Sequence, residues 1–528
     1  MVQATELDYT TNASALDMAN TIFGEGVDVV GASYTGWSQS SAIYNDPTGS
    51  GDNFLPNSSG VILSTGRASN FTRSSGDANQ SNSTSTNSPG QGTYQDFNDV
   101  AGRTTYDAAY MDVDFTTTND TMTMQFVFSS DEYPEYTNSV YNDILAVWIN
   151  GTYVPLSVGD GSTSVTEINE QNTENLYVDN ADSAYNTEMD GFTVTLSLTF
   201  PVTPTTDPAN PAVNTIRIGI ADASDSAYDS NVIIGADAIQ TELIANDDDF
   251  TIGTEFTKTF DVLANDEAIN FGVEITHING VEVVFGDTVV LTSGQSVTLN
   301  ADWTFSIQST ADTGETVFTY DIIDDDGNTA TAFVTLDTIP CFVAGTLILT
   351  PEGERRIEDL EPGDLVMTHD NGAQPIRWTG QRTMSASGNM APIRIKEGAL
   401  GDHRQLLVSP LHRILIRDTL SELLFGESEV LVSAKHLVND HSIRPEEGGF
   451  VTYVHVLFDQ HEVVFSEGLA TESFLPGPQT TDCFEQEVLD EICEIFPELD
   501  PETGEGYSPS ARRTLKSYEA KVLMKGAA

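Results

Sequence analysis

The sequence predicts a mainly β protein of several domains, closed by a short helical tail. Three observations carry this. Residues 191–200, GFTVTLSLTF, alternate apolar and polar residues, the period of a half-buried strand. Residues 147–154, VWINGTYV, set Asn150-Gly151 between two apolar arms, a two-residue hairpin signal. From residue 341 onward, short apolar runs are punctuated by Pro351-Glu352-Gly353, Glu361-Pro362-Gly363-Asp364 and Asp370-Asn371-Gly372. A length of 528 residues exceeds one ordinary domain, and 39% hydrophobic residues suffice for packed cores.

Taken in order, residues 1–240 read as a β-sandwich. Phe192, Val194, Leu196, Leu198 and Phe200 should share one face of a strand, with Thr and Ser on the other. Residues 121–128, TMTMQFVF, should behave likewise. Residues 68–98 are mostly Ser, Asn, Thr, Gly and Gln, which predicts a long loop. Residues 241–338 read as a second, immunoglobulin-like sandwich, ending in two strands around a turn at Asp326-Gly327. Residues 341–477 form the turn-rich third region. The tail, 478–528, is expected to be helical. Asp482 with Glu485 resembles a capping box, followed by apolar residues at helical spacing up to Pro497. A second helix is expected after Ser508-Pro509, with Leu515, Tyr518 and Val522 on its buried side.

The formal net charge is −60, and only five of the 21 Lys and Arg residues lie before residue 341: Arg67, Arg73, Arg103, Arg217 and Lys258. Nucleic acids and anionic membranes need a basic face, so neither is expected as a partner. Three cysteines, Cys341, Cys483 and Cys493, are too few for a disulfide scaffold. The first residues, MVQATELDYT, lack a basic start followed by an apolar run, and no run reaches the length of a membrane helix. An exported chain would thus leave without a recognisable cleavable leader, and no transmembrane segment is expected.

Cys341 is the first cysteine, and its neighbours give it meaning. Residues 341–368, CFVAGTLILTPEGERRIEDLEPGDLVMT, resemble the opening block of the hedgehog/intein (Hint) family. LLVSPLHRIL at 406–415 resembles its second block, with Ser409 in the threonine place and His412 as the histidine. YVHVLFDQHEVVFSEGLATESF at 453–474 resembles the closing block. The wording is closest to the bacterial Hint branch, and the resemblance implies the Hint all-β horseshoe fold. It also implies an N-to-S acyl shift, in which Cys341 attacks the carbonyl of Pro340 and the upstream chain passes to sulfur as a thioester. Such a step needs an activated thiol, a stabilised oxyanion and a proton for the leaving nitrogen. His412 is the candidate acid, because imidazole titrates near neutrality. Ser409 would orient the scissile peptide. His455 falls where many relatives carry Asp, and His461 matches the block's own histidine. The closing His-Asn pair of splicing inteins falls on Glu472-Ser473, so no Asn is available to cyclise, and full splicing is not expected. Water, a small thiol or an amine would be the acceptor. The reaction would be a single autocatalytic turnover.

FVFSSDEYPEYTNSVYNDILAVWING at 126–151 resembles the signature of the choice-of-anchor L domain, which implies a bacterial surface or secreted protein. NDDD at 246–249 and DDDGN at 324–328 resemble the strand edges of cadherin-like repeats. Calcium favours clustered hard oxygen ligands. Asp131, Glu132, Asp143, Asp247, Asp324 and Asp326 are therefore the candidate metal ligands, set against solvated acidic loops and a plain turn. No cofactor is expected for the Hint chemistry. Two readings follow: a self-processing secreted or surface protein, or an adhesion protein with an extracellular ligand whose Hint fold is structural only.

Overall fold

The computed structural model describes residues 2–526 except 50, 52–53, 82, 87, 89–93, 160, 253–256, 269–271, 311–315, 338–340, 387–390, 440, 476–494 and 497–506. The chain is mainly β, as expected, and divides into two compact units. One comprises Met1–Asp248, Thr259–Ser306 and Val317–Val334; the other comprises Asp249–Lys258, Ile307–Thr316 and Thr335–Ala528.

The first unit is built on two antiparallel sheets. One runs Asp8–Thr10, Ser41–Asn45, Ser59–Ser64, Ser230–Gln240, Thr121–Ser130, Gly191–Thr193, Tyr177–Asp179, with Leu196–Pro201 also on Thr121–Ser130. The other runs Val27–Thr35, Thr105–Thr117, Asn214–Ala223, Ile144–Ile149, Thr152–Tyr153. Met124, Phe126, Phe128, Met111, Val113 and Ile218 belong to the buried cluster between them. The predicted hairpin closes at Asn150 (φ 49°) and Gly151 (φ 81°), the left-handed pair a two-residue turn demands. The predicted half-buried strands differ from expectation. In Thr121–Ser130 every residue after Thr121 is buried, because Val127 faces a second cluster with Tyr44, Phe54, Phe71 and Phe192. The run 191–200 breaks into two strands, so Phe192 packs in that outer cluster while Val194 to Phe200 pack inside.

Two short helices interrupt the expected β pattern. Ala15–Ile22 starts at a capping box, with the Ser14 hydroxyl accepting from the Asp17 amide, and buries Met18, Ala19 and Ile22. Gln95–Ala101 begins inside the expected long loop and ends on Gly102 in the left-handed conformation. It buries Phe97 against Tyr110 and Trp148, which covers the outer face of the second sheet. Within this unit, Glu274–Ile278 pairs with Val281–Glu282 and with Tyr320–Ile323. Val317 and Phe333 join the sandwich's own core cluster. The Asn175 amide donates to the Val317 carbonyl at 3.0 Å and accepts from Ser293 N at 2.9 Å.

The second unit holds two six-strand ladders. The first orders Trp378–Ser385, Phe450–Leu457, Phe342–Val343, Leu406–Val408, Ile393–Ile395, Ile443–Pro445. The second orders Gly353–Arg356, Leu347–Thr350, Val463–Ser466, Leu469–Glu472, Arg413–Arg417, Glu429–Ser433, and Leu365–Thr368 with Gly372–Pro375 joins it at Val463–Ser466. Glu467 (φ 50°) and Gly468 (φ 87°) make the tight turn between Val463–Ser466 and Leu469–Glu472. A helix at Thr419–Phe425, capped by the Asp418 carboxylate, was not expected. The first predicted tail helix lies outside the described residues except Ile495 and Phe496. The second begins at Ser517 rather than after Pro509. Leu515, Ala520 and Leu523 are buried there, Val522 is exposed, and the side chain of Tyr518 lies outside the described set. Residues 511–515 are drawn off as extended chain instead, with Arg513 O and Leu515 N bonded to Leu431.

Candidate functional site

Strand order places Cys341. It immediately precedes Phe342–Val343, a two-residue strand inserted between Phe450–Leu457 and Leu406–Val408, with Phe342 opposite both Val454 and Val408. His455 therefore arrives from one side and Ser409 from the other. The Cys341 backbone N–H donates to Ser409 Oγ at 2.7 Å, and Ser409 N donates back to the Cys341 carbonyl at 3.0 Å. Cys341 Sγ lies 3.4 Å from His455 Nε2. Cys341 is 7% exposed and packs with Ala386, Val451 and Tyr453. Burial raises the Tyr453 hydroxyl well above its ordinary range, so it stays protonated beside the sulfur. Pro340 lies outside the described residues.

His412 sits behind the same strand, its ring 4.2 Å from that of Phe342. Its environment differs from the near-neutral titration expected of an imidazole. Complete burial lowers its pKa from 6.5 to about 4, against the opposing pull of Glu472. Neither ring nitrogen has a hydrogen-bond partner among the described residues. His412 is thus held as the neutral imidazole at rest.

His461, the other candidate from the closing block, contacts different groups. Ala511 N donates to its Nδ1 at 3.0 Å, so the proton resides on Nε2, which donates to the Ser473 carbonyl at 3.2 Å. Ser508 Oγ accepts from its backbone N–H at 2.6 Å. These bonds fasten the tail segment to the closing hairpin.

In the closing block Glu472 stands only where a histidine would be. Its carboxylate is fully buried. It accepts from Arg413 N at 2.8 Å and the Arg413 guanidinium at 3.2 Å, and lies 3.5 Å from His461 Nε2. Burial alone would raise its pKa; Arg413, then His461 and His412, hold it at about 2 instead. The signal was the charge pair itself, one residue after His412 and one before Ser473. The Ser473 hydroxyl accepts from Glu462 N at 3.0 Å.

The candidate metal ligands fall into separate places. Glu132 and Asp143 meet, with Asp143 N donating to Glu132 Oε2 at 3.2 Å. Asp143 also accepts from Ser230 Oγ at 2.6 Å and Ala223 N at 3.3 Å. Asp131 bonds the Thr84 and Asp190 amides instead. Burial raises Asp131 and Glu132 each to about 8, and it raises Asp143 well above the usual carboxylate range. Asp222, absent from the sequence candidates, joins Asp143 in this buried acidic group. Asp247 accepts from Phe333 N at 3.1 Å. Asp324 accepts from the amides of Asp326 and Asn328 and from the Asn328 side chain, which builds the turn itself. Among the described residues no three acidic, His or Cys groups converge as a metal ligand set.

The Choice-of-anchor L domain family model matches residues 6–240, and the Hint domain model matches residues 340–478. Solved structures similar over 25% of the chain include the MchDnaB-1 intein (12% identity, 99% of that chain, TM-score 0.18). The bacterial intein-like domain from Clostridium thermocellum (17% identity, 97% of that chain, TM-score 0.19) and the gp41-1 intein (13%, 97%, 0.19) are others. No curated protein matches the chain. Among the described residues no helix is long and apolar enough to cross a membrane. The chain therefore carries a choice-of-anchor L domain over residues 6–240 and a Hint domain over residues 340–478.

Proposed function

We propose that this is a self-processing surface or extracellular protein, whose Hint domain breaks the Pro340–Cys341 bond through an N-to-S acyl shift. The observation that carries the reading is the placement of Cys341: its backbone is held at both polar groups by Ser409, and its sulfur lies beside His455 Nε2. The choice-of-anchor L domain supports the surface or extracellular assignment.

In the shift, His455 takes the thiol proton and Sγ attacks the Pro340 carbonyl carbon. The Ser409 hydroxyl fixes the plane of the scissile peptide through the Cys341 N–H. When the tetrahedral intermediate collapses, the C–N bond breaks and the Cys341 nitrogen gains a proton. His412, neutral at rest and so able to accept, suits a relay at this step: the proton taken from the thiol passes from His455 by way of His412 to the nitrogen. The product is a thioester between the Pro340 acyl group and Sγ, with a free Cys341 amine.

Resolution then falls to an outside nucleophile. The Glu472 carboxylate is locked to Arg413, and the Ser473 hydroxyl already serves Glu462 N. Attack by water releases a Pro340 carboxylate and restores the thiol; attack by an amine transfers residues 1–340 to it. On a denaturing gel, wild type should yield a fragment ending at residue 340, and Cys341→Ala should stay intact. An adhesion protein with a purely structural Hint fold would leave both chains whole.

A further inference from the structure

Cations are rare before residue 341, and most of them have partners. Arg217 pairs with Asp112 at 2.7 Å and Asp96 at 2.6 Å, and lies over the Tyr110 ring. Arg103 donates to the Val140 carbonyl. Arg73 pairs with Glu188 at 3.2 Å. Arg67 differs: its guanidinium lies 5.1 Å from the Trp37 ring centroid, and among the described residues it has no carboxylate at ion-pair distance. In a chain of formal charge −60, a guanidinium left without a carboxylate is a donor group held for something else. Stacking on the indole occupies its face and leaves its edge N–H groups available.

Arg67 and Arg73 line one cleft of about 680 Å³, two of the five cations before residue 341. Eight of its twelve lining residues are Ser, Thr or Asn, Ser69, Asn70, Thr72 and Thr84 among them, and Glu6 and Glu188 complete the wall. The volume lies in the range of small-molecule sites, yet no aliphatic or aromatic side chain lines it. Hydroxyl and amide groups donate and accept together, which is what vicinal sugar hydroxyls require. A lipid would find no apolar wall. A long polyanion, reaching past the cleft, would meet the strongly negative remainder of the chain.

We infer that this cleft of the choice-of-anchor L domain binds an acidic saccharide, with Arg67 receiving the sugar's carboxylate or sulfate. Arg73, already tied to Glu188, holds the cleft's wall and supplies a second donor. The hydroxyl-bearing residues and Glu6 take the ring hydroxyls.

The test is titration calorimetry of the full-length chain against oligogalacturonate, oligoguluronate, sialyllactose and a heparin tetrasaccharide, with methyl-esterified oligogalacturonate and sodium sulfate as controls. At least one acidic saccharide should bind, weaken with added salt, and lose about tenfold or more in Arg67→Gln, a charge-assisted hydrogen bond being worth about 1.5–3 kcal/mol. Arg67→Lys should recover part of the loss, and unchanged melting of both variants separates lost binding from lost folding. No binding by any of the four saccharides overturns the inference. So does equal binding of the ester and the acid, equal affinity for sulfate alone, or unchanged affinity in a folded Arg67→Gln.

Discussion

Replacing Glu472 with Ala should strike the second unit harder than any surface change. The carboxylate is fully buried and receives the Arg413 amide at 2.8 Å and its guanidinium at 3.2 Å. Removing it leaves a guanidinium that cannot lose its proton, about a quarter exposed, beside the buried His412 and His461. Breaking a buried pair from one side costs about 3–5 kcal/mol. The partial exposure of Arg413 argues for the lower end. In a unit of this size about 3 kcal/mol corresponds to a fall of roughly 6–12 °C in melting temperature. Calorimetry of wild type, Glu472→Ala, Arg413→Ala and the double variant supplies the cycle. The double variant should be less destabilised than the sum of the singles by about 0.5–3 kcal/mol. Strict additivity, or a Glu472→Ala melting temperature equal to wild type, would refute the pair's assigned role.

Three further outcomes follow from the same structure. The two units should respond to pH in opposite directions. Asp131 and Glu132 are raised from 3.8 and 4.5 to about 8; the folded first unit keeps protons the unfolded chain releases, so this stability is present below pH 4 and lost as pH rises towards 8. His412 falls from 6.5 to about 4; the second unit's contribution is present above pH 6.5 and lost as pH falls through 4. Melting followed from pH 6.5 to 4.5 should show the first unit gaining and the second losing, and parallel shifts would contradict it. Added calcium at pH 8 raises the first melting only if a cation takes the place of those protons. Ser409→Ala should slow cleavage, because the buried Cys341 N–H loses its 2.7 Å acceptor and an unmet buried donor costs about 1–3 kcal/mol; Ser409→Thr should preserve the rate, measured by fragment appearance on a gel. Phe97→Ala should lower the first unit's melting temperature, since its fully buried ring covers a sheet face and such truncations cost about 3–5 kcal/mol.

The parts of this fold that were legible in the sequence are those set by local chemistry. Asn150-Gly151 needs two left-handed residues, and the turn lies there. Burial on both faces of Thr121–Ser130 was not legible, because the covering residues, Tyr44, Phe54, Phe71 and Phe192, come from segments far away in the chain. The helix Ala15–Ile22 left a weak mark, its capping box closed by Asp rather than the usual Glu or Gln. In the site, the block pattern named Cys341, Ser409 and His412. The contact of Cys341 with His455, 114 residues away, depends on a strand order that periodicity does not encode. His412 looked like a near-neutral acid because its residue type says so; only its complete burial makes it neutral at rest. His461 matches a block position, and its bonds to Ser473, Ser508 and Ala511, which tie the tail segment to it, were not legible there.

The most direct test of the acyl shift is to trap the thioester. Freshly purified full-length protein and Cys341→Ala are incubated with hydroxylamine at neutral pH, and their intact masses are measured. The account predicts that wild type gives two species, residues 1–340 bearing a hydroxamate on Pro340 and a fragment beginning at Cys341, while the variant keeps one undivided mass. An undivided wild-type chain under the same conditions, or equal cleavage in the variant, would contradict it.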